Sequence, residues 1–192
     1  MTVDMRLFIA VNITNDARAR LTDAQRRLRQ INATVNWVAP QNFHFTLKFL
    51  GESADHLLPN IKKAMDTVAA KVLRLRCELR GLGQFPRVIW AGLHGETEQL
   101  ATLAKRLDEE LGRLGFLRVA REFKPHLTLG RITFVGDKPG LTKAIDSLRN
   151  EPFGAMRVDA IHLFQSTLTA RGSIYTKVHT AQLKGAEHGR QI

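Results

Sequence analysis

Cysteine is nearly absent from this chain: Cys77 is the only one in 192 residues. A lone thiol excludes an internal disulfide framework and a cysteine-based zinc site. Apolar runs are short, and none nears the roughly 18 residues of a membrane-spanning helix. The opening stretch MTVDMRLFIAVNI has an acid at Asp4 and loses its apolar character at Asn12, so it reads as a strand and not as a secretion signal. Negative charge is scarce as well. Against 29 Lys and Arg stand 18 Asp and Glu, a formal net charge of +11. Residues 1–96 hold 14 basic and 8 acidic side chains (+6) and residues 97–192 hold 15 and 10 (+5), so the excess is not parked in a tail. Low-complexity segments and Pro/Gly/Ser linkers are missing, which leaves one domain or two small lobes with a substantial core. An apolar fraction of 44% with 24% charged residues excludes a disordered chain. The expectation is a cytoplasmic protein with an affinity for anions. Nucleic acid, phosphorylated ligands and anionic lipid all suit such a charge; solubility alone also accounts for it.

Residues 6–13 (RLFIAVNI) form a β-branched and aromatic run, the mark of a buried strand. Asn15 or Asp16 then caps a helix whose Ala17, Leu21, Ala24, Leu28 and Ile31 recur at helical spacing, with Arg18, Arg20, Arg26, Arg27 and Arg29 facing outward. A loop over 36–42, a strand over 43–50 closed by Gly51 and a helix at about 56–72 come next. Strands near 73–82 and 88–94 are joined by a Gly-Gln-Phe-Pro turn. The second half repeats this order, with helices at about 97–114 and 140–149 and strands near 125–134, 155–165 and 173–181. Gly95 is a candidate hinge between lobes. Adjacent strands that pair as hairpins beside helices give the α+β class, with mainly antiparallel pairing.

The informative comparison is internal. Residues 44–47 read His-Phe-Thr-Leu and residues 126–129 read His-Leu-Thr-Leu, each on a predicted strand behind a proline-containing loop (Pro40, Pro125). Side chains two apart on a strand share a face. His44 and Thr46 therefore stand on one face and Phe45 and Leu47 on the other; His126 and Thr128 are set apart from Leu127 and Leu129 in the same way. If the halves pack with pseudo-twofold symmetry, two imidazoles and two hydroxyls converge between them. Paired histidines are equipment for opening a phosphodiester: one neutral imidazole takes a proton from the attacking oxygen, and one imidazolium protonates the leaving oxygen. Threonine hydroxyls would donate to the non-bridging oxygens, where charge grows in the transition state. No Asp, Glu or Cys cluster accompanies either copy, so neither a metal nor a cofactor is implied. The alternative is a pair of core histidines, each bonded to its neighbouring threonine.

These motifs resemble the two-histidine phosphoesterases, and most closely their RNA 2',3'-cyclic phosphodiesterase branch, also known as 2'-5' RNA ligase-like. The resemblance runs through RLFIAVNI, Trp37, Asn42-Phe-His-Phe-Thr-Leu-Lys-Phe-Leu-Gly51, Gly83-Gln-Phe-Pro86, Val88-Ile-Trp-Ala-Gly92, Phe123-Lys-Pro-His-Leu-Thr-Leu-Gly-Arg131 and Ser166-Thr-Leu…Arg171-Gly…Tyr175. It implies a bilobal α+β duplication: a pseudo-twofold pair of mainly antiparallel sheets lining a central cleft, with helices outside. Residues 1–184 would form that single domain and 185–192 a frayed tail. It also implies hydrolysis of a terminal 2',3'-cyclic phosphate to a 2'-phosphomonoester, with His44 as proton donor and His126 as proton acceptor. The partner would be RNA ending in a cyclic phosphate and not a membrane, and the protein a monomer. If the reaction reverses, a 5'-hydroxyl replaces water and a 2'-5' linkage forms.

Position singles out the secondary candidates. Arg131 matches a family arginine for phosphate, yet strict alternation sets it on the face opposite His126 unless Gly130 permits a bulge. Lys48 falls on the face of His44 and Thr46, as a phosphate ligand or as a lysine at the cleft rim. Phe8, Trp90 and Tyr175 are base-stacking candidates or core. His56, His94, His162, His179 and His188 read as structural or surface residues. The arginines of the first helix are a solvated face or an extension of an RNA track, and Cys77 is a buried strand residue. Two other functions share the pattern: a cyclic phosphodiesterase for a small cyclic nucleotide or ADP-ribose cyclic phosphate, and a non-catalytic RNA-binding protein.

Overall fold

The computed structural model of the chain describes residues 4–120, 123–170 and 172–185. Arg171 and the tail beyond residue 185 lie outside the described residues. In chain order the elements are β1 (Asp4–Asn12), α1 (Asn15–Leu28), β2 (Ala33–Trp37), β3 (His44–Ala54), α2 (Leu58–Ala69), β4 (Leu75–Phe85) and β5 (Val88–Gly95). They continue as α3 (Thr97–Gly112), β6 (His126–Val135), α4 (Lys138–Ser147), β7 (Pro152–Val158), β8 (Ala160–Thr169) and β9 (Gly172–Gln182). The fold is α+β, with two antiparallel sheets in the orders β3-β1-β8-β9 and β2-β6-β5-β4-β7. None of the helices is long and apolar enough to cross a membrane among the described residues.

The sequence halves are not the two sheets. β1 and β3 pair in the first sheet, but the same half then sends β4 into the second, beside β5. β5 of that half pairs with β6 of the other, which sends β8 back beside β1. The helices cross over too: α1 packs on β7 and α3 on β3. Each sheet thus draws strands from both halves, and the charge excess of each half does not belong to one lobe. A single apolar core runs through both, from Phe45 and Leu47 to Leu127 and Leu129, all buried.

Local signals account for most elements. Thr14, one residue ahead of the expected caps, accepts from Ala17 N at 3.3 Å, and α1 buries Ala17, Leu21, Ala24 and Leu28. Asp137 caps α4 through Gly140 N at 2.9 Å. The loop expected over 36–42 begins inside a strand, since β2 pairs with β6 as the edge of its sheet. One strand expected over 155–165 is two: the chain passes from one sheet to the other at Asp159, and a run of extended apolar residues hides that crossing. The turn expected at 83–86 is displaced, because Gly83 and Phe85 remain in β4 and the reversal falls at Pro86–Arg87. Gly83 serves contact instead: an added Cβ would sit 2.2 Å from the Trp90 ring. Gly95 is no hinge, for it pairs with Cys77 in the ladder at φ +95°.

Candidate active site

The helices cover one face of each sheet and leave the other open. On β3 the buried Phe45 and Leu47 point to the core while the half-buried His44 and Thr46 point to the open face. On β6 the same division separates Leu127 and Leu129 from His126 and Thr128. The two motif strands touch each other at the boundary of the sheets.

Both imidazoles are held alike. His44 Nδ1 lies 2.7 Å from the Asn42 carbonyl, and His126 Nδ1 lies 2.9 Å from the Lys124 carbonyl, in each case two residues upstream. A carbonyl only accepts, so Nδ1 carries the proton in both rings and Nε2 is left to exchange one. His44 Nε2 is 3.0 Å from Thr46 Oγ1, whose hydroxyl donates to it in the neutral ring. Each ring is also packed edge-on by an aromatic side chain: Tyr175 at 5.4 Å from His44, and Phe85 at 5.5 Å from His126, both at 83°. The His44 wall is the more closed. Phe8 lies 4.9 Å from His44 and stacks with Phe164 at 5.3 Å, and Phe8, Phe164 and Ala10 form a small cluster apart from the main core. The β8–β9 hairpin curls over this wall, and Asn42 Nδ2 donates to the Ser173 carbonyl at 2.8 Å to hold it there. Burial lowers the pKa of His44, an effect its hydrogen bond to the Asn42 carbonyl opposes.

An extra residue in each motif strand decides the secondary candidates. Opposite β1, Thr46 pairs with Ala10 and Lys48 with Ile9, so Leu47 has no counterpart. Opposite β5, Thr128 pairs with Trp90 and Gly130 with Ile89, so Leu129 has none. Each insertion shifts the alternation by one position. Arg131 consequently pairs with Val88 and shares the open face with His126 and Thr128, as the bulge alternative requires. Lys48 is the correction. It turns inward with 1% of its side chain exposed, pairs with Asp108 of α3 and donates to the Leu117 carbonyl. Burial alone would push the Asp108 carboxyl up, but hydrogen bonds from Lys48 and the Val119 N–H hold it below its usual range. Lys48 therefore is not placed to bind substrate; it ties β3 to the segment that leads to His126.

Of the aromatic candidates, Phe8 is 3% exposed and forms wall, while Trp90 and Tyr175 are half-buried on the open faces. Of the remaining histidines, His162 is half-buried. It stands on the open face of the first sheet, in the row Thr46, Ala10, His162, Thr180, and its Nδ1 is 2.9 Å from Thr180 Oγ1. Desolvation, aided by Lys177, lowers its pKa to about 4. The alternation of Ile161, His162, Leu163 and Phe164 is the available signal, since His162 shares its face with Phe164. The α1 arginines are engaged locally: Arg20 with Asp16, Arg26 with Asp23, Arg18 with the Pro40 carbonyl, and Arg29 over Trp37. Cys77 is buried, and burial raises its pKa.

Two facing strands with His-x-Thr on each define a class, the two-histidine phosphoesterases. The chain belongs to the 2'-5' RNA ligase superfamily, whose family model matches residues 18–169. It is 34% identical over 184 residues to the RNA 2',3'-cyclic phosphodiesterase of Methanothermobacter thermautotrophicus, covering 93% of this chain and 99% of that one. It is 36% identical to the protein of the same name in Archaeoglobus fulgidus, covering 89% and 96%. Among solved structures, TT0787 of Thermus thermophilus superposes with a TM-score of 0.79 at 30% identity, covering 96% of this chain and all of that one. The E. coli LigT complex with 3'-AMP gives 0.77 at 25% identity, covering 94% and 99%.

The buried groups lead to two stability outcomes. Lys48→Met takes the buried ammonium from the Asp108 carboxylate, which keeps only the Val119 N–H and the Arg118 side chain, and should cost about 3 kcal/mol in urea unfolding, whereas adding Asp108→Leu to it should restore most of the loss; a double variant as unstable as the single one contradicts this. The His162 pKa is depressed, so the unfolded chain binds a proton there that the folded chain refuses. Stability should therefore fall as pH drops from about 6.5 to about 4. His162→Gln should flatten that slope, and an unchanged slope speaks against it.

Proposed function

We propose that the chain is an RNA 2',3'-cyclic phosphodiesterase that opens the terminal cyclic phosphate to a 2'-phosphomonoester, working as a monomer in the cytoplasm. The observation that carries this reading is the matched pair of imidazoles, each fixed through Nδ1 on its own motif strand with Nε2 free to exchange a proton. Relatives named for this reaction over nearly the whole chain support it.

In the reaction, His126 Nε2 takes a proton from water as the water oxygen bonds to phosphorus. The bond from phosphorus to the 3'-oxygen breaks, and His44 Nε2–H protonates that oxygen as it leaves. The product keeps its phosphate on the 2'-oxygen, and the two rings end with their protonation states exchanged. Thr46, Thr128 and Arg131 serve the non-bridging oxygens, where charge accumulates. Burial favours the neutral form of His44, and a bound phosphate supplies the negative charge that favours its imidazolium. If a 5'-hydroxyl takes the place of water, the same proton transfers make a 2'-5' phosphodiester.

Replacing either histidine by alanine should lower turnover of an RNA ending in a 2',3'-cyclic phosphate by about 100- to 10,000-fold. Near-normal turnover in either variant contradicts the reading. The roles separate on a substrate whose leaving atom is 3'-sulfur, since a thiolate departs without protonation. His44→Ala should be largely rescued on it and His126→Ala should not. The opposite pattern would exchange acid and base.

A further inference from the structure

The paired-histidine reaction leaves one half-buried imidazole of the open faces unused, that of His162. Its row, Thr46, Ala10, His162, Thr180, runs across the first sheet from β3 to β9. Thr46 belongs to the reacting site, so the row joins that site to the β8–β9 hairpin. The neighbouring row passes from Phe8 through Phe164 to Lys177. Lys177 is exposed and makes no ion pair among the described residues, and its ammonium acts on the His162 ring through space. Neither row contains a carboxylate. The row on the other side, with His44, Asn12, Ala160 and Gln182, contains none either.

The polar groups here are free to donate. His162 Nδ1 is 2.9 Å from Thr180 Oγ1, and Nε2 has no hydrogen-bond partner among the described residues. When the Thr180 hydroxyl donates to Nδ1, the ring proton sits on Nε2 and points away from the hairpin. Desolvation and Lys177 both hold this ring neutral at ordinary pH, so it serves as a donor without having to charge. A lysine without a counter-charge beside a free N–H suits an anion, and both bonds to it would be charge-assisted. Position narrows the choice of anion. β8 lies two strands from β3, roughly 10 Å across the sheet. A phosphate held here stands about one nucleotide from the phosphate at His44, and the nearest one in an RNA chain is that on the 5'-oxygen of the reacting nucleotide.

We propose that His162 and Lys177 form a second phosphate subsite, which takes the phosphate on the 5'-oxygen of the nucleotide whose 2',3'-cyclic phosphate is opened. The inference rests on the phosphodiesterase reading and specifies its substrate. Selection is for the charge that precedes the terminal nucleoside, whatever its base.

A dinucleotide ending in a 2',3'-cyclic phosphate isolates that charge when it is compared with the same dinucleotide carrying an uncharged methylphosphonate linkage. The wild type should show the higher kcat/KM on the natural linkage. Lys177→Met and His162→Leu should each lower the ratio of the two values by about 10-fold, the scale of one hydrogen bond to a charged group. Lys177→Arg should retain it. Lys177 is exposed, so its replacement tests the subsite without disturbing the packing around His162. The same losses should appear in the ratio for adenosine 2',3'-cyclic phosphate with and without a 5'-phosphate. A wild type indifferent to the linkage charge overturns the inference, and so does a ratio that Lys177→Met leaves unmoved. A wild type that hydrolyses none of these substrates overturns the phosphodiesterase reading instead, so the two failures are distinguishable.

Discussion

A hydrogen bond from an imidazole Nδ1–H to the carbonyl two residues before it, made once in each motif strand, is the constraint on which the site depends. It uses only a strand and the bend that enters it, so it needs no supporting side chain. It fixes the tautomer, turns Nε2 away from the backbone and does so identically in two places. Paired acid–base chemistry requires this much symmetry. It also requires an asymmetry, and burial supplies it: Phe8, Tyr175 and the curled β8–β9 hairpin enclose His44, while His126 meets a single edge-on ring from Phe85.

The placement of the two rings relative to one another comes from the exchange of elements between halves. Since each sheet takes strands from both halves, and α1 packs on β7 and α3 on β3, neither sheet is a separate folding unit. The buried Lys48–Asp108 pair adds a direct tie from one motif strand to the approach to the other. A buried ion pair is weak evidence of stability, because desolvation opposes it, but it specifies one arrangement over its neighbours.

The sequence makes the chemistry legible and the shape only in part. Period-two alternation correctly sorts His44, Thr46, His126 and Thr128 from Phe45, Leu47, Leu127 and Leu129, because those residues precede the extra position or mark it. Beyond it, the same rule misplaces Lys48 and leaves Arg131 undecided, for one physical reason: an inserted residue inverts the faces that follow it until the next irregularity. Periodicity alone does not reveal such an insertion, since it is defined by the partner strand. The strand exchange is hidden for a related reason. Helix and strand patterns are local, whereas the choice of sheet for β4 and β8 is settled by packing between distant segments. His162 is inconspicuous in the sequence because it lacks a duplicate, although its alternation with Phe164 places it on a face with other candidates.

The most direct test of the paired-imidazole arrangement is the nitrogen-15 spectrum of the histidine side chains, recorded at a pH where both rings are neutral and again with added inorganic phosphate. The expected result is that His44 and His126 both carry the proton on Nδ1, and that their Nε2 signals shift when phosphate is present. A spectrum in which either ring carries its proton on Nε2, or in which phosphate moves neither, would contradict it.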